Sequence, residues 1–515
     1  MSRDLESTYR ALADLDRPCY ISRSGGRITA GNEPLPGAAL LAVAPPLPPE
    51  KLGSPQFTRR HGLRYPYMAG SMAGGIASTR LVAALAKAGC LASFGAAGLD
   101  PHRIEAAVSE LSQKLGELPY AANLIHSPQL PRRERETIDV YLRHRVRCIE
   151  ASAFLSLSPE LVRYRLSGLR TDPAAGVHAE HRLIAKVSRA EIAALFLSPA
   201  PEAVVTELLA AGAVTAEQAR LARNVPMADD ITVEADSGGH TDRRPLAVLV
   251  PQMLRLRDQA AIPGWPHPVR IGAAGSIGTP QAVHAAFALG AEYVVTGSVN
   301  QACVEAGTSP AVKGLLAQAG PTDCTMAPAA DMFEAGAEVQ VLSKGTLFAQ
   351  RAALLSRLYR RFDSIEAIPQ SEMDRLRTQV FQRDLDRAWD DTAAYLRDHD
   401  PTGLERAEAD PRHRMALLFR SYLGLSSRWA TSGSEDRLGD YQIWCGPAMG
   451  AFNLWARSTF LEPLENRRVA DIAEHLLLGA AFHSRVTQLR FAGVRIPPAC
   501  AEYRPSPLPE AVAAA

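Results

Sequence analysis

The most suggestive chemistry in this 515-residue sequence lies between Glu234 and Asp242, in the run Glu-Ala-Asp-Ser-Gly-Gly-His-Thr-Asp. Gly238 and Gly239 let the backbone bend sharply and approach a ligand closely, and His240 follows at once. An imidazole titrates near neutral pH, so it can deliver or accept a proton. The plainer alternative is a histidine that only closes a turn. Asp236 and Asp242 read as residues that order this loop. A second stretch, Val269 to Gly278, runs from an apolar segment into the small-residue turn Gly272-Ala273-Ala274-Gly275-Ser276, with Thr279-Pro280 opening a helix behind it. A third, Thr296-Gly297-Ser298, is a turn of the same kind one unit further on. Small residues and exposed backbone N–H groups suit a phosphate there, against the alternative of two ordinary tight turns.

One phosphate site points to a mononucleotide such as FMN. A dinucleotide fold of the usual kind needs Gly-x-Gly-x-x-Gly, and no Gly-x-Gly triplet occurs anywhere. A Walker A lysine loop and a Tyr-x-x-x-Lys pair are missing as well. Three further stretches fit a flat aromatic ring. Met68-Ala69-Gly70-Ser71-Met72 is a run of small residues and methionines against which a ring could lie, or simply a loose loop. Asn123, in an otherwise apolar segment, can hydrogen-bond a polar ring edge or bridge neighbouring strands. Lys186 can stabilise negative charge on a reduced flavin, or form a structural ion pair with Glu150 or Glu234.

These residues sit at the ends of short apolar runs. Eight such runs occur: Tyr67 to Ala69, Cys90 to Phe94, Tyr120 to Ile125, Cys148 to Ala151, Arg182 to Val187, Ile231 to Ala235, Val269 to Ala273 and Tyr293 to Thr296. Amphipathic helices separate them. Asp100-Pro101, Ser158-Pro159 and Thr279-Pro280 open helices with an N-cap residue and proline at the first helical position, and Gly116, Gly168 and Gly290 stop them. Ser188 with Glu191 and Thr215 with Gln218 have capping-box spacing, and residues 189 to 230 leave room for two extra helices. Strands alternating with helices mean parallel pairing. Eight units predict an α/β protein with a closed (β/α)8 TIM barrel, an open doubly wound sheet being the other arrangement. Loops after the strands then form one face, where catalytic groups of such barrels gather.

The expected division is an N-terminal segment with a proline-rich linker (1–55), the barrel (56–345), a mainly helical substrate or lid domain (346–500) and a loose tail (501–515). Trp444 and Trp455 are expected in the core of the helical domain. The 56 basic and 55 acidic side chains balance to +1, which argues against a nucleic-acid partner. No apolar run approaches the ~20 residues of a membrane helix. The seven cysteines form no Cys-x-x-Cys pair, so no metal site or disulfide scaffold is expected, and a reducing cytoplasm is.

Taken in order, Met68 to Met72, Asn123 to Pro128, Ile184 to Ser188, Glu234 to Asp242 and Gly272 to Ile277 resemble the PfaD family, the trans-acting enoyl reductases of polyunsaturated fatty acid and polyketide synthases. The segment Asp440-Tyr441-Gln442-Ile443-Trp444-Cys445-Gly446-Pro447-Ala448-Met449-Gly450 also looks like that family. These proteins are similar in turn to FabK-type enoyl reductases and nitronate monooxygenases. The resemblance implies an FMN-dependent barrel that reduces an enoyl thioester on an acyl carrier protein. NADPH is the implied hydride donor, NADH and a homodimer being left open. It implies a role for His240 near the protonation of the substrate; together with the residue reading above, the candidate catalytic residues are His240 and Lys186, and the candidate cofactor contacts are Ala69, Gly70, Ser71, Met72, Asn123, Lys186, Gly239, Ala274, Gly275, Ser276, Gly297 and Ser298. A nitronate monooxygenase-like oxidase and a non-catalytic docking subunit of a synthase are the rival readings. An inosine-monophosphate-dehydrogenase-like barrel would need a cysteine after the phosphate turn, where Ser276-Ile277-Gly278 stands.

Overall fold

The computed structural model describes residues 3–508 other than 129, 173–175, 261, 263, 264 and 266. Eight parallel strands close into a barrel: Tyr67–Ala69, Leu91–Phe94, Ala121–Ile125, Cys148–Ser152, Arg182–Val187, Asp230–Glu234, Arg270–Ala274 and Tyr293–Thr296. The eighth pairs with the first, Thr296 opposite Ala69, so the sheet has no free edge. This is the (β/α)8 barrel expected from the sequence, and each apolar run supplies one strand.

The helices around it begin where their caps require. Asp100 accepts a hydrogen bond from Arg103 N at 2.9 Å and opens Pro101–Leu115, whose Ile104, Val108, Leu111 and Leu115 are buried. Ser158 and Thr279 cap Pro159–Leu166 and Pro280–Ala288 in the same way, and Thr215 and Gln218 form a reciprocal capping box. The helix expected to start from Ser188 starts one residue later: helix Ala190–Leu197 has Arg189 at its N-cap, whose side chain makes no cap bond. A two-stranded hairpin, Leu169–Asp172 with Gly176–Ala179, stands unforeseen before the fifth barrel strand.

The barrel is filled rather than open. A Cβ on Gly272 would lie 2.3 Å from the Tyr293 ring, so glycine there makes room for that ring inside. Phe57, from helix Pro55–His61, stacks on Tyr293 at 4.1 Å. At the starts of strands six and seven the polar groups are buried in pairs. Asp230 binds His61 at 2.8 Å and both Nε and Nη2 of Arg270 at 2.5 and 2.9 Å. Asp229 binds Arg165 at 2.6 Å and Arg60 at 3.0 Å. Burial pushes both carboxyls up. The cations outweigh it: Arg165 and Arg60 hold Asp229 well below the usual range, and Arg270 and His61 lower Asp230. A depressed folded pKa stabilises above the unfolded value and is lost as pH falls through the folded one, so the two aspartates give up their contribution only below about pH 4, whereas His61, whose imidazole burial pulls below its ordinary value, begins to oppose the fold as pH falls from about 6.5. Asp229→Ala should cost about 3–5 kcal/mol, because Arg165 is left buried without its partner. Denaturant unfolding measures this, and a loss below about 1 kcal/mol would mean the pair does not hold the barrel base.

The chain divides into two compact units, the first comprising residues 1–236, 243–307 and 451–515, the second residues 237–242 and 308–450. This departs from the division at 346 and 500. In the first unit, an N-terminal helix (Arg3–Ala13) and a three-stranded antiparallel sheet (Cys19–Ser24, Arg27–Gly31, Ala39–Ala44) precede the barrel. Helix Val469–Phe491 belongs with them. Its Arg485, wholly buried, donates to the carbonyls of Leu12, Asp14, Leu15, Arg17 and Pro45. His284 Nδ1 of helix Pro280–Ala288 lies 2.8 Å from Ser484 Oγ of the same long helix. The tail is not loose over its described part: Tyr503 OH lies 2.8 Å from His475 Nδ1, and Arg504 N donates to Tyr9 OH. Residues 509–515 lie outside the described residues.

The second unit contains helices Phe348–Arg361, Leu385–His399 and Pro411–Ser432 around a core that includes Leu355, Leu358, Phe419 and Leu423. The region from residue 346 is helical as expected, and the unit also contains an antiparallel sheet built from earlier residues: Cys324–Pro328 and Glu338–Leu342, with Gly239–His240 on the outer edge of the latter. The motif beginning at Asp440 is an anchor. Asp440 is wholly buried and takes Tyr422 OH at 2.5 Å, Arg437 at 3.3 Å and Arg351. Trp444 packs on this core as expected. Trp455 instead lies in the first unit beside Phe452. Among the described residues no single helix is long and apolar enough to cross a membrane.

Candidate active site

Strand pleating decides which residues face the barrel interior. Leu91, Ala121, Cys148 and Ile184 share one buried cluster with Met68 and Tyr293. Two residues further along the same strands stand Ser93, Asn123, Glu150 and Lys186, on the same face. Thr232 is within 2.8 Å of Tyr293 OH, which places Glu234 on that face of strand six. The apolar barrel interior therefore gives way, toward the C-terminal ends of strands two to six, to a polar layer of Ser93, Asn123, Glu150, Lys186 and Glu234.

The layer is internally bonded but incomplete. Asn123 Nδ2 donates to Glu150 O at 3.1 Å and to Ser152 Oγ at 2.9 Å, so its amide nitrogen bridges strands three and four. Lys186 Nζ lies 3.4 Å from Glu234 Oε1, the structural ion pair weighed for it. Burial pulls the Lys186 ammonium down, but Glu234 and Glu150 outweigh it and hold it above its ordinary value. Glu150 reaches the loop after strand one, where its Oε2 accepts from Ser71 N at 2.9 Å. Its Oε1 and the Ser93 hydroxyl are buried with no hydrogen-bond partner.

The loop residues Ala69 to Met72 surround this contact. Gly70 N donates to Thr296 O, and a Cβ on Gly70 would stand 3.0 Å from Val295 Cγ1. Met68 points into the barrel cluster, and Met72 is buried. After strand seven, Ala274 is buried, and Gly275 and Ser276 both take positive φ, +90° and +55°. Ser276 Oγ donates to Asp236 O at 3.1 Å. A Cβ on Gly275 would fall 2.7 Å from the Ala235 carbonyl carbon, whereas one on Gly297 would meet nothing within 4 Å. The turn after strand eight thus has open space beside its backbone, and Ser298 begins the short helix behind it.

His240 lies in the second unit. The chain leaves the first unit after Asp236, and Gly239 and His240 form a two-residue strand opposite Gln340 and Val339. Gly239 has φ +83°, and a Cβ on Gly238 would press on the Cys445 backbone at 2.9 Å. The double glycine is therefore explained by a tight pass beside Cys445. His240 Nε2 lies 3.1 Å from Asp331 Oδ1. Burial raises the Asp331 carboxyl, but the hydrogen bond and charge of His240 hold it below its ordinary value. Glu150 and Ser93 entered the sequence reading as no more than a counter-ion and an apolar-run residue. The signal that finds them is the two-residue period within each run.

The barrel and its loops define a class. A sequence model of the nitronate monooxygenase family matches residues 54–335, and the chain belongs to this family of oxidoreductases, in the branch of PfaD-type proteins that its motifs resemble. It is 38% identical to the enoyl reductase domain of MlnA from the macrolactin cluster of Bacillus amyloliquefaciens, with a TM-score of 0.82 over 86% of this chain and 100% of that one. It is 44% identical to a polyunsaturated fatty acid synthase subunit of a Thraustochytrium species, over 95% of this chain and 33% of that protein. It is 45% identical to the polyketide biosynthesis protein PksE of Bacillus subtilis, over 85% of this chain and 58% of that protein. The chain thus spans a third to somewhat over half of these two relatives. Residues 362–441 match the inserted helical domain of [acyl-carrier-protein] S-malonyltransferase.

Proposed function

We propose that this chain is a trans-acting enoyl reductase that uses FMN and NADPH, with NADH open, to reduce the α,β-double bond of an enoyl thioester held on an acyl carrier protein of a polyketide or polyunsaturated fatty acid synthase. The observation that carries this reading is the likeness to a solved enoyl reductase domain over that domain's whole length. The match of residues 362–441 to a helical domain of a carrier-protein acyltransferase favours a carrier-bound substrate over a free one.

The residues present fit FMN. The open backbone at Gly297 leaves a phosphate room, and two buried polar atoms, Glu150 Oε1 and Ser93 Oγ, stand unpaired in a layer of mixed donors and acceptors. Gly275, Ser276, Gly297 and Ser298 would hold the phosphate. Ala69 to Met72, Asn123, Lys186, Gly239 and Ala274 would line the ring. When bound, the flavin supplies two-electron hydride chemistry. Lys186, held charged, orients a polar ring edge. His240 is the proposed source of the proton for the substrate α-carbon, with Asp331 orienting its imidazole.

One experiment separates this reading from its rivals. Without oxygen, NADPH should bleach the yellow protein, and an enoyl carrier-protein thioester should restore the colour within one turnover. Restoration by oxygen with a nitroalkane but not by the enoyl thioester would make the chain a nitronate monooxygenase. A colourless protein that releases no flavin on denaturation would make it a docking subunit.

A further inference from the structure

The polar layer carries one charge more than its own ion pair explains. Lys186 is matched by Glu234 at 3.4 Å. Glu150, on the neighbouring strand four, is fully buried, and its carboxylate has a single hydrogen bond, from Ser71 N, with Oε1 unpaired. A buried polar group left without a partner costs on the order of 1–3 kcal/mol, so a fold keeps one where it serves another end. Glu150 also lies against the loop that the flavin ring is proposed to face: its Oε1 is 3.6 Å from where a Cβ of Gly70 would stand.

We propose that Glu150 is a positioning residue with two effects on a bound flavin: it fixes the Ser71 backbone, and the negative charge it adds beyond the Lys186–Glu234 pair holds the flavin's reduction potential low. This rests on the flavin reading above and adds to it a direction for the electron transfer. Two electrons added to a ring beside a carboxylate in a medium of low dielectric meet repulsion, so the oxidised ring is favoured. With a flavin bound, Glu150 would thereby favour hydride delivery to an enoyl thioester over retention of the electrons. The cost falls on the step in which the nicotinamide reduces it. Lys186 acts in the opposite sense, but it is one cation facing two carboxylates, Glu234 at 3.4 Å and Glu150.

Glu150→Gln isolates the charge, since a glutamine oxygen still accepts from Ser71 N–H. With FMN in excess, the equilibrium between oxidised and reduced bound flavin should move about tenfold toward the reduced form, a rise of about 30 mV for a two-electron couple. Flavin content should stay near that of the parent. A potential that is unchanged or lower overturns the proposal. If Glu150→Gln does not fold, Glu150→Met, apolar and of similar volume, must raise the potential too, and no rise there overturns it equally. A parent protein that binds no flavin defeats the functional reading instead. A parent that binds flavin, with a variant of unshifted potential, defeats only this inference.

Discussion

Replacing His240 by alanine should leave FMN bound and still reducible by NADPH, yet slow the return of electrons to an enoyl carrier-protein substrate by ~100-fold or more, the usual worth of a positioned proton donor. His240 is not an interior barrel residue: its side chain is 43% exposed, and its partner is Asp331 of the second unit. A carboxylate on one imidazole nitrogen fixes ring and tautomer, as a proton donor requires. The same bond is what a turn-closing histidine would make, so the measurement must separate chemistry from folding. Rapid mixing of pre-reduced protein with substrate, without oxygen, reads the one step. Asp331→Asn supplies the comparison, since loss of the orienting charge should slow that step less than loss of the ring. If His240→Ala reoxidises at the parent rate, the histidine is a piece of the second unit's sheet and the proton comes from elsewhere.

The second large effect belongs to Gly275. Gly275→Val should weaken FMN binding by ~10-fold or more, the scale of the strain that a β-branched residue stores at positive φ. From sequence, the expected reason is a side chain standing in the path of the phosphate. The structure gives a different one. At φ +90° the new Cβ would strike Ala235 and Asp236 backbone atoms at 2.7 to 2.9 Å, so the turn itself must move. Gly297→Val is the contrasting case: φ is −126° and nothing lies within 4 Å, so the unfolding midpoint should stay while flavin content falls. Flavin released per mole of protein checks both. A full complement of flavin in Gly297→Val would place the phosphate elsewhere.

The barrel was legible because its strands are buried on both faces and read as short apolar runs, each closed by a turn or cap with its own chemistry. Asp100, Ser158, Thr215 and Thr279 announce their helices through side chains that bond the first turn. Ser188 has the same local spacing, but the helix starts beyond it at Ala190, a choice that lies outside the four-residue pattern. The second unit was hidden for a different reason. Its sheet joins Glu338–Leu342 to Gly239–His240 across about a hundred residues, and although Glu-Val-Gln-Val-Leu alternates, a two-residue Gly-His strand has no period to betray its partner. The loop residues of the candidate site were visible as glycines and a histidine. The polar layer was not, because Glu150 and Ser93 sit within apolar runs and acquire meaning only once the pleat assigns them a side.

Arg485 has a consequence for how the protein is made. Its five carbonyl partners lie between Leu12 and Pro45, up to 473 residues earlier in the chain. At roughly 5–20 residues per second, a ribosome releases those carbonyls about half a minute to a minute and a half before the guanidinium that binds them exists. The three N-terminal strands can pair with one another in that interval, but the carbonyls that Arg485 will take must wait while the barrel behind them is synthesised. The lock that Arg485 supplies therefore closes long after its partners are made, and in a nascent chain stalled before residue 485 those five carbonyls lack the guanidinium that binds them.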